Sequence, residues 1–217
     1  MGHVKVGIVC GLRSEARALG EAGRDAGISG ADPDRAEAEA GRLADAGAEA
    51  LLSVGLAGAL APGLHPGMLL VPGRVVLADG SVHPADRALA QALGFAPGDG
   101  ALLGSDALIA DGPAKARAHA ATGAIAVDME SHRVAAVAAA RGLPFLALRA
   151  IADPADLAIP PAALGSVAAD GSVRTLATLA GLARRPQDLL ALIALGRASA
   201  IAHATLREVG RRLSGRG

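Results

Sequence analysis

Between Ala50 and Gly73 the chain runs 24 residues without a formal charge, and this stretch decides which class of fold is open to it. Its length would cross roughly 30 Å of hydrocarbon. Pro62, Pro66 and Pro72, five glycines and His65 interrupt it, and in lipid such interruptions leave backbone N–H and C=O groups unsatisfied. It therefore reads as buried strand, glycine loop, turn and strand. The rest of the chain favours a packed core: 52% of its 217 residues are hydrophobic, 19% are charged, and 21 basic residues balance 21 acidic ones. Disorder needs the opposite combination. At about 150 residues per domain, the expectation is one domain over 1–217, with 157–217 a helical C-terminal extension of it.

Phe95 and Phe145 are the only aromatics, so the core is aliphatic. Lysine occurs only at Lys5 and Lys115; with the excess of Ala and Gly this reads as GC-rich coding rather than chemistry. Neutral charge and the lack of stacking platforms argue against a nucleic-acid partner. Cys10 is the single cysteine, which rules out an intrachain disulfide and fits a reducing compartment. The first ten residues lack the charged and long apolar regions of a secretory signal. The expected location is the cytoplasm.

The β-branched run Val4 to Cys10 predicts a strand, followed by a helix from Ser14 to Leu19. Asp32 to Ala46 predicts a helix with Pro33 in its first turn. Strands are expected at 50–55, 68–71, 74–78, 101–103, 124–127 and 143–151, with a hairpin turn at Asp79-Gly80 and a loop over 97–100. Helices are expected at 85–93, 114–121 and 130–141. Strands alternating with helices predict a three-layer α/β/α fold. After Pro160-Pro161 an irregular stretch precedes helices at 172–183 and 186–213.

The scattered histidines and lone cysteine offer no metal-ligand spacing, and Gly-x-Ser-x-Gly is missing. Gly55-Leu56-Ala57-Gly58 follows a strand and permits close backbone approach to a ligand, but it lacks the third glycine of a dinucleotide fingerprint. Glu15, Glu130 and Asp153 are more informative, because each follows the C-terminal end of a strand. Ligands of open α/β sheets bind along that edge. Taken singly, each acid reads more readily as a solvated carboxylate at a helix N-terminus than as a catalytic group; the three together favour a site. His119 and His132 read as solvated helix residues.

Ala124-Ile125-Ala126-Val127-Asp128-Met129-Glu130-Ser131 and Gly142-Leu143-Pro144-Phe145-Leu146-Ala147-Leu148-Arg149-Ala150-Ile151-Ala152-Asp153 together resemble the signature of the purine nucleoside phosphorylase and methylthioadenosine/S-adenosylhomocysteine nucleosidase superfamily. Val6 to Glu15 looks like its nucleosidase branch, and Ser53 to Leu70 resembles its glycine loop and following strand. The helical end and short central region look most like the hopanoid-associated phosphorylase branch, assigned to removing adenine from adenosylhopane. The resemblance implies a central mixed twisted sheet, no cofactor, and water as nucleophile, or phosphate if the bond is broken by phosphorolysis. It implies a homodimer acting on a nucleoside with an apolar 5' group, in transient contact with a membrane surface.

By position, the resemblance makes Glu15 the acid that deprotonates the attacking water. It makes Glu130 the acceptor of the ribose 2'- and 3'-hydroxyls, and it packs Met129 against the sugar. Asp153 would deliver a proton to purine N7, with Arg149 supporting its loop. Leu56, Ala57 and Gly58 would line the ribose side, and Leu108 would take the place of an aromatic that stacks on the base. These residue types suit the chemistry. Cleaving C1'–N9 creates an oxocarbenium-like sugar, so one acid must neutralise the departing base while another readies water.

Several positions depart from the pattern. Leu56 cannot donate to a phosphate oxygen, Ser53 replaces a phosphate-binding Arg, and Ala152 replaces a Ser that assists the catalytic Asp. Hydrolysis is thus expected over phosphorolysis, with Arg13 the residue that could restore a cation. Leu189 to Leu195 is apolar on nearly every face. It reads as a core or dimer helix, or, with Leu157 to Leu164, as an apolar wall for the 5' group; seven residues are too few to span a membrane.

Overall fold

The computed structural model describes residues 4–161, 168, 170–172, 182 and 184–215. Positions 173–181 and 183 of the expected helix over 172–183, and positions 162–164 of the expected apolar wall, lie outside the described residues. The strands are β1 (Val6–Cys10), β2 (Gly27–Ile28), β3 (Ala50–Ala59), β4 (Leu69–Leu70), β5 (Pro72–Val76), β6 (Val82–Pro84), β7 (Gly98–Gly104), β8 (Ala126–Asp128) and β9 (Phe145–Asp153). The helices are α1 (Arg13–Ala18), α2 (Pro33–Asp45), α3 (Arg87–Ala92), α4 (Gly112–Thr122), α5 (Ser131–Arg141) and α6 (Leu189–Ser214).

The strands form one mixed sheet in the order β2-β1-β3-β8-β7-β5-β6, with β9 paired to β3 and β4. β3 organises it. Along its first half it pairs in parallel with β1, from Val6 opposite Ala50 to Val9 opposite Ser53. Beyond the end of β1 it pairs antiparallel with β8 at Gly58 and Ala59. On its other side β9 follows it in parallel from Leu51 to Gly58. These partners explain why β3 continues through Ala59 instead of stopping at Gly55.

Alternating side chains divide the core, as the two-residue period of a strand requires. Ile8, Cys10, Leu52, Leu146 and Leu148 pack with Leu19, Leu89, Leu206 and Val209, on the side of α1, α3 and α6. Val9, Leu51, Phe145, Ala147 and Ile151 pack with Ala36, Ala40, Val134 and Ala138, on the side of α2 and α5. The expected three layers are present. Capping fixes the helix starts: Asp32 accepts from the Arg35 amide at 3.0 Å and Asp111 from the Ala114 amide at 2.7 Å, which satisfies first-turn donors.

Three other expectations need correction. Strand β5 begins at Pro72 and β7 at Gly98, because these segments pair with one another. The exposed strand β6 and the two-residue β2 carry too little apolar pattern to be seen in sequence. The last helix is 26 residues long, and an 18-residue window of it has mean hydropathy 1.6, so by length and composition it is long enough to cross a membrane. One face of it packs Ala198, Ala202, Leu206 and Val209 into the protein, while Leu189, Leu190, Ile193 and Ile201 are exposed.

Candidate active site

The C-terminal ends of β1, β3, β8 and β9 open into a cavity of about 320 Å³. Glu15, Leu56, Ala57, Gly58, Leu108, Met129, Glu130 and Asp153, all expected from sequence, line it. Leu12, Ile109, Ile159 and Leu195 add apolar wall, and Asp128 adds a fourth acid. Among the described residues, no Lys, Arg or His lines it, and no group of His, Cys, Asp and Glu is placed to hold a metal ion.

Glu15 lies in the first turn of α1 and is buried. Its two oxygens each accept a backbone N–H at 2.8 Å, from Leu12 and from Leu56. Burial raises its pKa, and Arg149 and these two amides oppose the rise. The amide of Leu56 is therefore spent on Glu15, and its side chain is apolar. Gly55 makes this approach possible: a Cβ there would come within 2.5 Å of Arg149 Nη1 and 2.9 Å of Glu15 Oε1. Gly58 does the same for Asp153, whose Oδ2 would lie 3.0 Å from an added Cβ. These glycines admit the protein's own charged side chains, a role different from the ligand approach expected of them.

Glu130 is the N-cap residue of α5 and is buried. Burial pushes it up to about 8; Arg149 pulls it down, and Asp128 and Glu15 push it further up. Arg149 is fully buried and lies beneath the acids, outside the cavity lining, where it pairs with Asp128 and lies 3.5 Å from Glu130 Oε2. It also donates to Ser53 Oγ and Ser131 Oγ, at 2.5 and 3.0 Å. It thus stands as a buried counter-ion rather than a group that meets substrate directly. Strand alternation explains this, since Arg149 shares the face of Ala147 and Ile151 that packs against α5.

Asp153 ends β9, and burial raises its pKa while Lys115 opposes the rise. Lys115, like Asp128, is a site residue that sequence reasoning missed. Its ammonium is 2.5 Å from Asp153 Oδ2, and the side chain is fully buried. The signal was its rarity: one of two lysines in a chain that otherwise uses Arg. Three further corrections concern basic residues. His132 is buried, with Nε2 2.8 Å from Asp106 Oδ1, and His119 is half-buried, with Nδ1 2.8 Å from the Ala124 carbonyl oxygen. Arg13 is exposed and donates to the Asp170 carbonyl at 2.7 Å, away from the cavity lining.

A sequence profile described as "Phosphorylase superfamily" matches residues 27–177, more than half of the chain. The chain belongs to the phosphorylase superfamily. Membership makes it an enzyme of the nucleosidase or phosphorylase type, and the matched span contains Lys115, Glu130 and Asp153. No protein of curated function matches the sequence. Solved structures share the fold. A futalosine hydrolase mutant of Helicobacter pylori strain 26695 superposes with a TM-score of 0.69 at 16% identity, over 98% of this chain and 99% of that one. An S-adenosylhomocysteine nucleosidase from Streptococcus pyogenes, in complex with 5-methylthiotubericidin, gives 0.63 at 19% identity over 96% and 98%. A 5'-methylthioadenosine/S-adenosylhomocysteine nucleosidase from Neisseria meningitidis, in complex with methylthio-immucillin-A, gives 0.68 at 16% identity over 98% and 100%.

Proposed function

We propose that this superfamily member hydrolyses the N-glycosidic bond of a 5'-substituted adenosine, releasing adenine. One observation carries the reading: four carboxylates and, among the described residues, no cation line the cavity. A phosphate dianion would meet Glu15, Asp128, Glu130 and Asp153 with no cationic side chain among the described lining residues to compensate, whereas water meets no such repulsion. Arg13 is turned to Asp170 and Arg149 is held by Asp128, so neither favours an anion.

Glu15 and Asp153 meet β3 at points three residues apart, Gly55 and Gly58, roughly 10 Å of extended chain. The two acids thus stand at different places on the cavity wall, as one acid beside the departing base and one beside the attacking water require. Glu15, clamped by the Leu12 and Leu56 amides, takes a proton from water as its oxygen attacks C1'. The C1'–N9 electron pair moves into the purine, and Asp153 gives a proton to N7. Glu130 holds the ribose hydroxyls, Met129 covers the sugar, and Leu108 covers the base. The products are adenine and the 5'-substituted ribose.

The favoured substrate is adenosylhopane, giving ribosylhopane in hopanoid side-chain biosynthesis. It draws support from the branch resemblance and from Ile159 and Leu195 on the cavity wall. The exposed Leu189, Leu190 and Ile193 on the same helix as Leu195 support transient contact with a membrane surface while a lipid-borne substrate is collected. The enzyme would work in the cytoplasm as a homodimer. A second reading, methylthioadenosine/S-adenosylhomocysteine nucleosidase, is favoured by the cavity itself, whose 320 Å³ suits a nucleoside with a small 5' group. Adenine release by wild type and by Asp153→Asn tests the common chemistry; equal turnover by the two would overturn it.

A further inference from the structure

Lys115 occupies the first turn of α4, four residues after the capping Asp111, and its side chain reaches no solvent. A buried ammonium is costly unless its three N–H groups find acceptors. Here all three do: Asp153 Oδ2 at 2.5 Å, the Pro154 carbonyl at 3.0 Å and the Leu157 carbonyl at 2.9 Å. The two carbonyls belong to the turn that follows β9, so a single side chain ties the acid to the loop that carries it away from the sheet. With Oδ2 engaged, Oδ1 is the oxygen left for a purine.

We propose that Lys115 is a positioning residue that acts through Asp153, fixing the carboxyl's orientation and stabilising the anion left when its proton passes to the leaving purine. The inference rests on the hydrolase reading above. As C1'–N9 breaks, its electron pair enters the purine, the proton moves from Asp153 Oδ1 to N7, and the new carboxylate stays beside an ammonium already in place. Charge that develops next to a preorganised partner needs no reorganisation. Burial raises the Asp153 pKa and the ammonium opposes the rise, so the carboxyl that must give up its proton is not left the weaker acid that burial alone would make it. Among the described residues, the other charged groups that line the cavity with Asp153 are Glu15 on α1, Asp128 on β8 and Glu130 at the start of α5. All are acids, so none can replace Lys115.

The test compares pH profiles of kcat/KM for methylthioadenosine in wild type, Lys115→Met, Lys115→Gln and Lys115→Arg, with melting curves for each. Gln keeps an N–H donor and serves should Met not fold. The expected result is a fall in kcat of roughly 10- to 100-fold in the variants that remove the charge, with KM changed far less. Their alkaline limb should move up by about one pH unit or more, the usual effect of removing an opposite charge at this range. Lys115→Arg, which keeps a cation, should hold the limb within about half a unit of wild type. A lowered melting temperature with an unshifted limb, or failure of both charge-removing variants to fold, would assign Lys115 to the fold and overturn the proposal.

A second measurement does not depend on turnover. In a Glu15→Gln background, methylthioadenosine affinity is followed against pH. N7 of an N9-substituted purine can only accept, so binding should weaken as Asp153 ionises, and Lys115→Met should move that weakening to higher pH. The same pH dependence with and without Lys115 would overturn the inference by itself. Absence of both adenine release and binding in wild type would instead remove the hydrolase reading, and the inference with it.

Discussion

Arg149 and Asp128 pair beneath the cavity, and neither side chain has appreciable contact with solvent. Glu15 and Glu130 also face this one guanidinium, so it offsets the charge of three acids. Arg149→Met should therefore destabilise the fold strongly, by about 3–5 kcal/mol, because it leaves buried acids without a partner. Urea unfolding measures the loss. A change within experimental error would show that the cluster is held by something other than Arg149.

Glu130 links stability to pH. Its carboxyl is held at about 8 in the folded protein, against an ordinary value of 4.5. Its contribution is therefore fully present below the unfolded value and is lost as pH rises through about 8. Glu130→Gln does not titrate, so the melting temperature of the variant relative to wild type should rise between about pH 5 and about pH 8 and level off above that. A difference independent of pH would contradict the burial argument. Binding of a ribose 2'- or 3'-deoxy analogue should meanwhile be less affected by this substitution than binding of the full nucleoside.

Gly58 gives Asp153 its place against β3. An added Cβ would lie 3.0 Å from Oδ2 and 3.3 Å from Oδ1, so Gly58→Ala should push the carboxyl out of line while leaving the strand paired. The expected effect is a drop in kcat of roughly 10- to 100-fold, with little change in melting temperature. Unaltered kcat would mean that the position of Asp153 is not critical.

The legible part of the site is the part that backbone periodicity dictates. Glu15, Glu130 and Asp153 each follow an apolar strand; parallel pairing of β1, β3 and β9 brings the ends before Glu15 and Asp153 to one edge, and β8 brings Glu130 there by pairing antiparallel with the end of β3. Lys115 escaped because it arrives from α4, far along the chain from Asp153, and no local pattern marks such a pairing. His132 escaped for a similar reason: its burial comes from Gly104 on β7, where a Cβ would lie 2.3 Å from the imidazole-bearing Cβ. Among the strands, β6 was lost because its residues are exposed or half-buried and only its ladder with β5 makes it a strand.

The exposed apolar end of α6 has its own test. Replacing Leu190 and Ile193, both exposed, with Ser should leave turnover of soluble methylthioadenosine unchanged and reduce co-flotation with phospholipid vesicles. Equal flotation by wild type and variant would detach membrane contact from this helix.

The central claim is that a cavity whose charged lining residues, among those described, are all acids uses water, not phosphate, to release adenine. Wild type and Asp153→Asn are incubated with adenosine, methylthioadenosine and an adenosylhopane mimic, with and without inorganic phosphate, and free adenine is measured. The account predicts that wild type releases adenine from at least one 5'-substituted adenosine at the same rate whether or not phosphate is present, and that Asp153→Asn releases almost none while remaining folded. Release that requires phosphate, or no release from any of the three, would contradict it.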